Sequence, residues 1–417
     1  MTAAGPEPRA VASPMRPAAL AYIFVVVLLD MMALGIVLPV LPRLVESFTG
    51  GNTVRAAEIY GLFGAAWALM QFIVSPMMGA LSDRYGRRPV ILISNIGLAL
   101  DYVLMALAPT LIWLFIGRVI SGICAASIST AMAYIADVTP PEQRAKNFGL
   151  IGAAFGVGFI LGPAVGGVLG AIDLRLPFWA AAAATLANAC YGIFILPESL
   201  RREHRTSAIL LRRANPIGAL GLLRSHRELP GLATAYFISM FAHVVLQSVF
   251  VLYAGYRYGW DENAVGMSLA LVGVCSLIVQ VGLVGRMVAW VGERGALATG
   301  FGFGAVGLAI YGFAPSGAIF LIGIPVMSLW GLGGPALHSL MSRRVGVSEQ
   351  GQLQGANNSL MGIANMIGPI VFAGIFAYSI GAGRDWNLPG AAFYVAAVLL
   401  IAAAAVAWRA TRLPAAP

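Results

Sequence analysis

Charge is scarce in this sequence. Only 10% of its 417 residues are Asp, Glu, Lys or Arg, and 59% are hydrophobic. A water-soluble globular chain carries about 25% charged residues. A soluble fold of this length cannot hide so much apolar surface, so lipid must solvate part of it, as the mean hydropathy of +0.84 agrees. Lysine occurs once, at Lys146 after Arg144 and Ala145, which excludes the GxxxxGK(S/T) phosphate loop of an ATP-driven pump. The three cysteines, Cys124, Cys190 and Cys275, lie in apolar runs without ligand-spaced partners. They exclude a disulfide framework and a Cys-based metal site, and no metal site is expected. No GxSxG or HExxH pattern occurs, and the polar connections are too short for a catalytic domain, so an enzyme is not expected. The net charge of +9 does not point to nucleic acid, because the basic residues sit in short connections between apolar runs.

Those runs set the architecture. About 20 helical residues cross a hydrocarbon core of roughly 30 Å. That rule predicts twelve spans, at 20–41, 59–81, 89–108, 110–135, 148–170, 177–196, 230–253, 264–286, 294–313, 317–341, 352–380 and 389–409. The first is too long for the core of a cleaved leader, so it is expected to be retained. The fold class is therefore all-α: a polytopic membrane protein of two six-helix bundles. The predicted divisions are a tail at 1–19, a first bundle at 20–196, a linker at 197–229, a second bundle at 230–410 and a tail at 411–417. With the N-terminus inside, only Arg43, Arg55, Arg175, Arg257 and Arg384 fall outside, and Arg118 falls within a span. The other twenty of the 26 basic residues are on the inner side. Basic residues favour the cytoplasmic side, so both termini are expected there.

Few ionisable residues lie at depth. Asp30 and Asp101 fall about 15–18 Å into spans one and three, and Arg118 about 12 Å into span four, at 1.5 Å per residue. A charge at the bilayer centre costs about 2.5–3.5 kcal/mol on insertion scales. Such groups persist when they pair, neutralise or line a wet cavity. Either aspartate can carry a proton, with Arg118 pairing it in one conformation; a static Asp–Arg buttress is the alternative. His243, Gln247 and Asn357 are candidates for substrate contact. Gln280, His338, Ser339, Asn358 and Asn365 are further polar residues at depth. Trp67, Met70, Met240, Phe241, Met327 and Trp330 offer an adaptable apolar wall.

The two halves echo each other at Gly79-Ala-Leu-Ser-Asp83-Arg84-Tyr-Gly86-Arg87-Arg88-Pro-Val90 and at Gly285-Arg286 through Gly292-Glu293-Arg294. The first segment resembles the signature loop of the major facilitator superfamily. The resemblance implies that Gly79, Asp83, Arg84, Gly86, Arg87 and Arg88 form a conformational latch. Gly117-Arg118-Val-Ile-Ser-Gly122 is similar to the intramembrane arginine motif of its drug exporters. Gly158-Phe-Ile-Leu-Gly162-Pro163-Ala-Val-Gly166-Gly167 looks like their antiporter motif. Leu29 to Gly35, Leu100-Asp101-Tyr102, Tyr134 to Asp137, Leu196 to Ser199 and Glu349 to Gly355 resemble the tetracycline/proton antiporter branch. That branch carries an acid in its ninth helix and a histidine in its eighth. Here Gly304 stands near the acidic position, and span eight has no histidine. Gln71 is similar to a cavity glutamine of the family, and the resemblance implies substrate contact for it.

The resemblance implies proton-coupled export of small amphipathic drugs by a monomer in a bacterial inner membrane. Tetracyclines come first, carried as a divalent metal chelate, and no resident cofactor is implied. An uptake symporter and a dedicated metabolite exporter share the architecture; a membrane enzyme is a distant alternative.

Overall fold

A computed structural model of the chain describes residues 17–411, apart from 126, 140–142, 201, 207–217, 219, 226–228 and 347–348. The predicted tails and much of the predicted linker lie outside the described residues. Eight helices precede the linker: α1 (Pro17–Val37), α2 (Leu41–Phe48), α3 (Thr53–Tyr85), α4 (Arg87–Leu107), α5 (Leu111–Cys124), α6 (Ser127–Val138), α7 (Arg144–Ile172) and α8 (Leu176–Phe194). Seven long ones follow it: α9 (Leu229–Tyr258), α10 (Glu262–Ile278), α11 (Val284–Phe313), α12 (Gly317–Ser328), α13 (Gly333–Ser342), α14 (Gln350–Ile380) and α15 (Ala391–Ala410). The described residues contain eleven helical runs long and apolar enough to cross a membrane.

Eleven, rather than twelve, reflects one continuous run of 52 residues from Glu262 to Phe313. Straight, it would reach about 78 Å at 1.5 Å per residue, more than twice a hydrocarbon core. Its backbone leaves the helix at Gly292 (φ 71°, ψ 171°), a conformation that glycine reaches without a Cβ penalty. Divided there, it accounts for predicted spans eight and nine.

Other boundaries shift for local reasons. Span one stops at Val37, because Pro39 lacks an N–H and disfavours helix at Leu38. Span two begins at Thr53 rather than 59, where the Asn52 side chain accepts a hydrogen bond from the Arg55 N–H at 3.0 Å and caps the helix. Span ten is interrupted by a 3₁₀ turn at Leu329–Leu332, beside the Gly333-Gly334-Pro335 run.

The helices before the linker pack chiefly on one another, α1 on α7 and α8, and α4 on α5 and α8. Those after it do likewise, α9 on α14 and α15, and α11 on α12, α13 and α15. Two long contacts join the halves: α3 with α14, and α7 with α10. Helix α7 is central to both levels. Its Gly158, Gly162 and Gly166 recur every fourth residue and form one stripe. A Cβ there would strike, in turn, Met31 and the Leu28 carbonyl, the Met32 carbonyl and Gly35, and the Ile36 carbonyl. Gly167 faces the other way, onto Glu262 and Gly266 of α10, while Gly266 abuts the Pro163 carbonyl. Small residues let the backbones touch, which is how helices associate where lipid removes the hydrophobic driving force.

Near the arginine-poor end, Arg43 bridges the halves. Its guanidinium donates to the Trp260 carbonyl at 2.5 Å and to Glu46 at 2.8 Å, and lies 3.8 Å from Glu262. Tyr60 Oη adds a second bridge to the Gln247 carbonyl at 3.3 Å. At the opposite, arginine-rich end, the polar network around the signature loop joins the first half to the start of the linker. Arg87 donates to Asp137 at 3.0 Å, Asp83 at 2.5 Å and Ser82 Oγ at 2.7 Å. Its backbone N–H donates to Glu198 at 2.8 Å. Gly86 turns the chain with φ +108° and leaves room for that carboxylate. Arg88 donates to the Ile193 carbonyl, Arg84 lies over the Tyr85 ring at 5.3 Å, and the Gly79 carbonyl accepts from Ser82 at 2.8 Å.

Two stability tests follow from these contacts. Gly166→Val forces α7 off α1, and overpacking of that kind costs about 1–3 kcal/mol. The detergent-solubilised variant is expected to melt several degrees lower, whereas Gly149→Ala, with open space around its Cβ, melts no lower than the parent. Arg87→Ala and Asp137→Ala are each expected to lower stability by about 1–3 kcal/mol, the worth of a hydrogen bond to a charged group. In a double-mutant thermal cycle they should be non-additive; additive effects would show that the pair does not couple.

Candidate functional site

The two halves enclose a cavity of about 580 Å³. Helical spacing explains its wall. Tyr60, Gly64 and Trp67 fall on one face of α3, and Met240, His243 and Gln247 on one face of α9, since residues three and four apart share a side. Arg118 of α5, Asn365 of α14, Gln280 and Trp330 add polar and aromatic groups, as do Tyr102, Tyr311, Phe159, Phe250 and the hydroxyls of Ser239, Ser248, Ser276 and Ser328. The rest is mostly aliphatic, and such a mixed wall suits an amphipathic small molecule.

Arg118 places its guanidinium carbon 5.5 Å from the Trp67 ring centroid, a cation–π contact. The His243 ring meets Trp330 edge-on at 5.2 Å. The indole N–H of Trp67 is buried and has no acceptor among the described residues.

Neither aspartate lines this cavity. Asp30 is buried and accepts a hydrogen bond from Asn188 Nδ2 of α8 at 2.7 Å; the same amide donates to the Val26 carbonyl at 3.0 Å. Asp101 is 1% exposed, and its two oxygens are buried without a hydrogen-bond partner among the described residues. It stands against Gly117 of α5, where a Cβ would lie 2.9 Å from Oδ1. Arg118 is the next residue along, but no Asp101–Arg118 pair forms within 4.0 Å. The static buttress is therefore not what this conformation shows; the two groups are neighbours that do not touch.

Among the candidate contact residues, His243 and Gln247 line the cavity and Gln71 does not. Asn357 belongs to a second, polar pocket of about 450 Å³ with His338, Ser339 and Gln350, where its amide nitrogen lies 3.3 Å from His338 Nδ1. Of the expected apolar wall, Trp67, Met240, Met327 and Trp330 line the cavity. Met70 and Phe241 do not: Phe241 instead packs on Phe372 at 5.2 Å. Gly304 has no space for an acidic side chain, since a Cβ there would meet Trp330 and Leu400 within 3 Å. Sequence reasoning overlooked Asn188 and Tyr60, and it met Tyr102 only within the Leu100-Asp101-Tyr102 resemblance, not as a lining residue. Asn188 had a readable signal, an amide in the otherwise apolar span six. The place of both tyrosines on the cavity wall emerges when the halves are brought together.

Known proteins agree with this arrangement. The family model of the Major Facilitator Superfamily matches residues 23–369. The chain is 38% identical to the tetracycline resistance protein, class C, of Escherichia coli, over 92% of this chain and 94% of that protein. It is 35% identical to the class H protein of Pasteurella multocida, over 91% and 94%. A crystal structure of the nucleoside transporter NupG shares the fold, with a TM-score of 0.78 at 12% identity, covering 94% of this chain and 99% of that one. The multi-pass helical architecture, the glycine-joined halves and the sequence kinship agree: this chain belongs to the major facilitator superfamily, in the branch of the tetracycline resistance proteins.

Proposed function

We propose that the protein is a proton-driven exporter of amphipathic drugs, tetracycline-type antibiotics foremost, in a bacterial inner membrane. The observation that carries this reading is the enclosed, mostly apolar cavity between two halves, with unpaired Asp101 one helix contact behind its wall. The curated relatives named as tetracycline resistance proteins supply the substrate class. Placing the arginine-rich end in the cytoplasm follows the positive-inside preference and puts both termini there. In that orientation Arg43 and Tyr60 close the outer side, and the drug enters the cavity from within. A single chain contains the complete cavity, so the monomer is the working unit.

Transport then requires the outer bridges to break while the signature loops close the cytoplasmic side, the halves rocking about the central cavity. The segment at 197–229 serves as the tether between them. The proton rides on a buried carboxyl. Asp101, without a hydrogen-bond partner among the described residues, is held most cheaply as the neutral acid, because an unpaired buried charge is costly. A rotation of α5 that brings Arg118 onto it stabilises the carboxylate and expels the proton inward. Asp30 is held by Asn188 and serves as a second proton site or as the positioning group for α1. Energy comes from the proton gradient, and drug and proton move in opposite directions.

Two measurements test this. Expression in a pump-deficient bacterium is expected to raise tetracycline resistance, and an uncoupler to abolish the gain. In inverted vesicles, Asp101→Asn is expected to reduce drug-dependent proton release from the lumen by at least about tenfold, the scale of one lost charge interaction, with Asp30→Asn weaker. Full proton-coupled transport by both variants, at normal membrane levels, would refute the carboxyl-borne proton.

A further inference from the structure

Buried polar atoms without a protein partner are uncommon in folded proteins, and ordered water meets most of those that occur. Here they gather in one place. Among the described residues, thirteen buried side-chain nitrogen and oxygen atoms lack a hydrogen bond, and seven of them belong to α4 and α8. On α4 they are Ser94 Oγ, both amide atoms of Asn95 and both carboxyl oxygens of Asp101. On α8 they are Thr185 Oγ1 and Asn188 Oδ1. All five residues are at most 1% exposed, and none of them lines the drug cavity.

The register of the two helices brings these groups together. Arg88 of α4 donates to the Ile193 carbonyl at one end of α8. At the other end, Arg175 donates to the Ala106 carbonyl of α4 at 2.8 Å. The helices therefore run antiparallel, with Asn188 level with Ser94 and Asn95, and Thr185 about one turn from them toward Asp101. Asp101 lies six residues beyond Asn95, or about 9 Å along the axis, the reach of three or so hydrogen bonds of roughly 2.8 Å. Ser94 and Asp101, seven apart, share a face. Gly97 between them carries no side chain, and the Cys124 thiol stands over it. At the inner end, Asn188 Nδ2 donates to Asp30 Oδ1 at 2.7 Å. The unpartnered groups thus form a tract with one aspartate at each end.

We infer that the α4–α8 seam binds a short file of water that carries the proton from Asp101 to Asp30, apart from the drug cavity. The inference rests on the reading of the protein as a proton-driven exporter, and it makes Asp30 the second proton site. Asp101 gives its proton to the first water and becomes the carboxylate that Arg118 stabilises. Each water passes one proton on and keeps another, and the last delivers to the Asp30 carboxylate, which becomes the neutral acid. The hydroxyls of Ser94 and Thr185 both donate and accept, so they can belong to the file. The amides of Asn95 and Asn188 are positioning groups that hold its waters in line. Drug and proton then use separate routes through the first half.

The test uses the full chain in proteoliposomes, with tetracycline and Mg²⁺ as the probe. Two rates are compared: exchange of labelled drug for unlabelled drug without a gradient, and drug transport driven by an imposed proton gradient. Asn95→Leu and, independently, Thr185→Val remove polar atoms while keeping the branched shape of the side chain. Each is expected to leave exchange near the parent's rate and to slow gradient-driven transport at least about tenfold, short of the roughly hundredfold that a positioned proton transfer contributes. Thr185→Ser, which keeps the hydroxyl, is expected to restore it. Melting temperatures at or above the parent's are expected, since apolar groups of like shape replace unsatisfied ones. Unchanged gradient-driven transport in both apolar variants, with Asp101→Asn impaired, overturns the water file and leaves the carboxyl-borne proton intact. So does an equal fall in both rates, which marks a packing role. Full coupling in Asp30→Asn overturns the transfer to Asp30. Full coupling in both aspartate variants overturns the carboxyl reading and this inference with it.

Discussion

Helix α7 touches its neighbours almost backbone to backbone. Its glycines at 158, 162 and 166 seat α1, and its opposite edge, through Pro163 and Gly167, seats α10 of the other half. In lipid, apolar side chains gain little by leaving hydrocarbon for protein, so this closeness of approach carries the association. The consequence is geometric. The first half is built around the α1–α7 seam, and the two halves meet along a second seam on the same helix. The cavity between them exists because α7 and α3 stand at its flanks, each joined to one helix of the second half. A Cβ on either seam would push the helices apart and alter the distance across which a substrate is gripped.

The placement of charge follows a related economy. Arg87 gathers two acids and a serine at the end of the first half, where water is near and the cost of ionisation is small. Arg43 does the bridging between halves near the other end. Between them, in the hydrocarbon zone, Arg118 lies on an aromatic face, Asp30 takes an amide, and Asp101 has no hydrogen-bond partner among the described residues. This last group is in the least settled environment of the three. A residue whose surroundings satisfy only its neutral form is suited to a cycle in which protonation and conformation change together.

Much of the candidate site is legible in the sequence alone. Asp30, Asp101 and Arg118 stand out because charged residues are rare inside apolar runs, and His243 and Gln247 because they share a helix face one turn apart. Gln71 and Asn357 look equivalent to them in sequence. They differ once α3 and α14 are packed: Gln71 is not among the residues lining the cavity, and Asn357 meets His338. The role of Gly304 shows the same limit. In sequence it reads as a missing acid, whereas in the fold it is the space into which Trp330 fits.

Composition, apolar run length and arginine asymmetry determined the membrane class, the helical fold and the two-half organisation, because the cost of exposing charge or backbone to hydrocarbon leaves few other solutions. Motif spacing pointed to the polar loop around Arg87 and to the glycine seam, since both depend on residues neighbouring along one helix or one loop. Which polar groups line the cavity, that the aspartates stand behind its wall, and that Arg118 is left facing a site without acids were decided only by tertiary packing. Those facts depend on the rotation of each helix about its axis, which is set by contacts with partners far away in the chain.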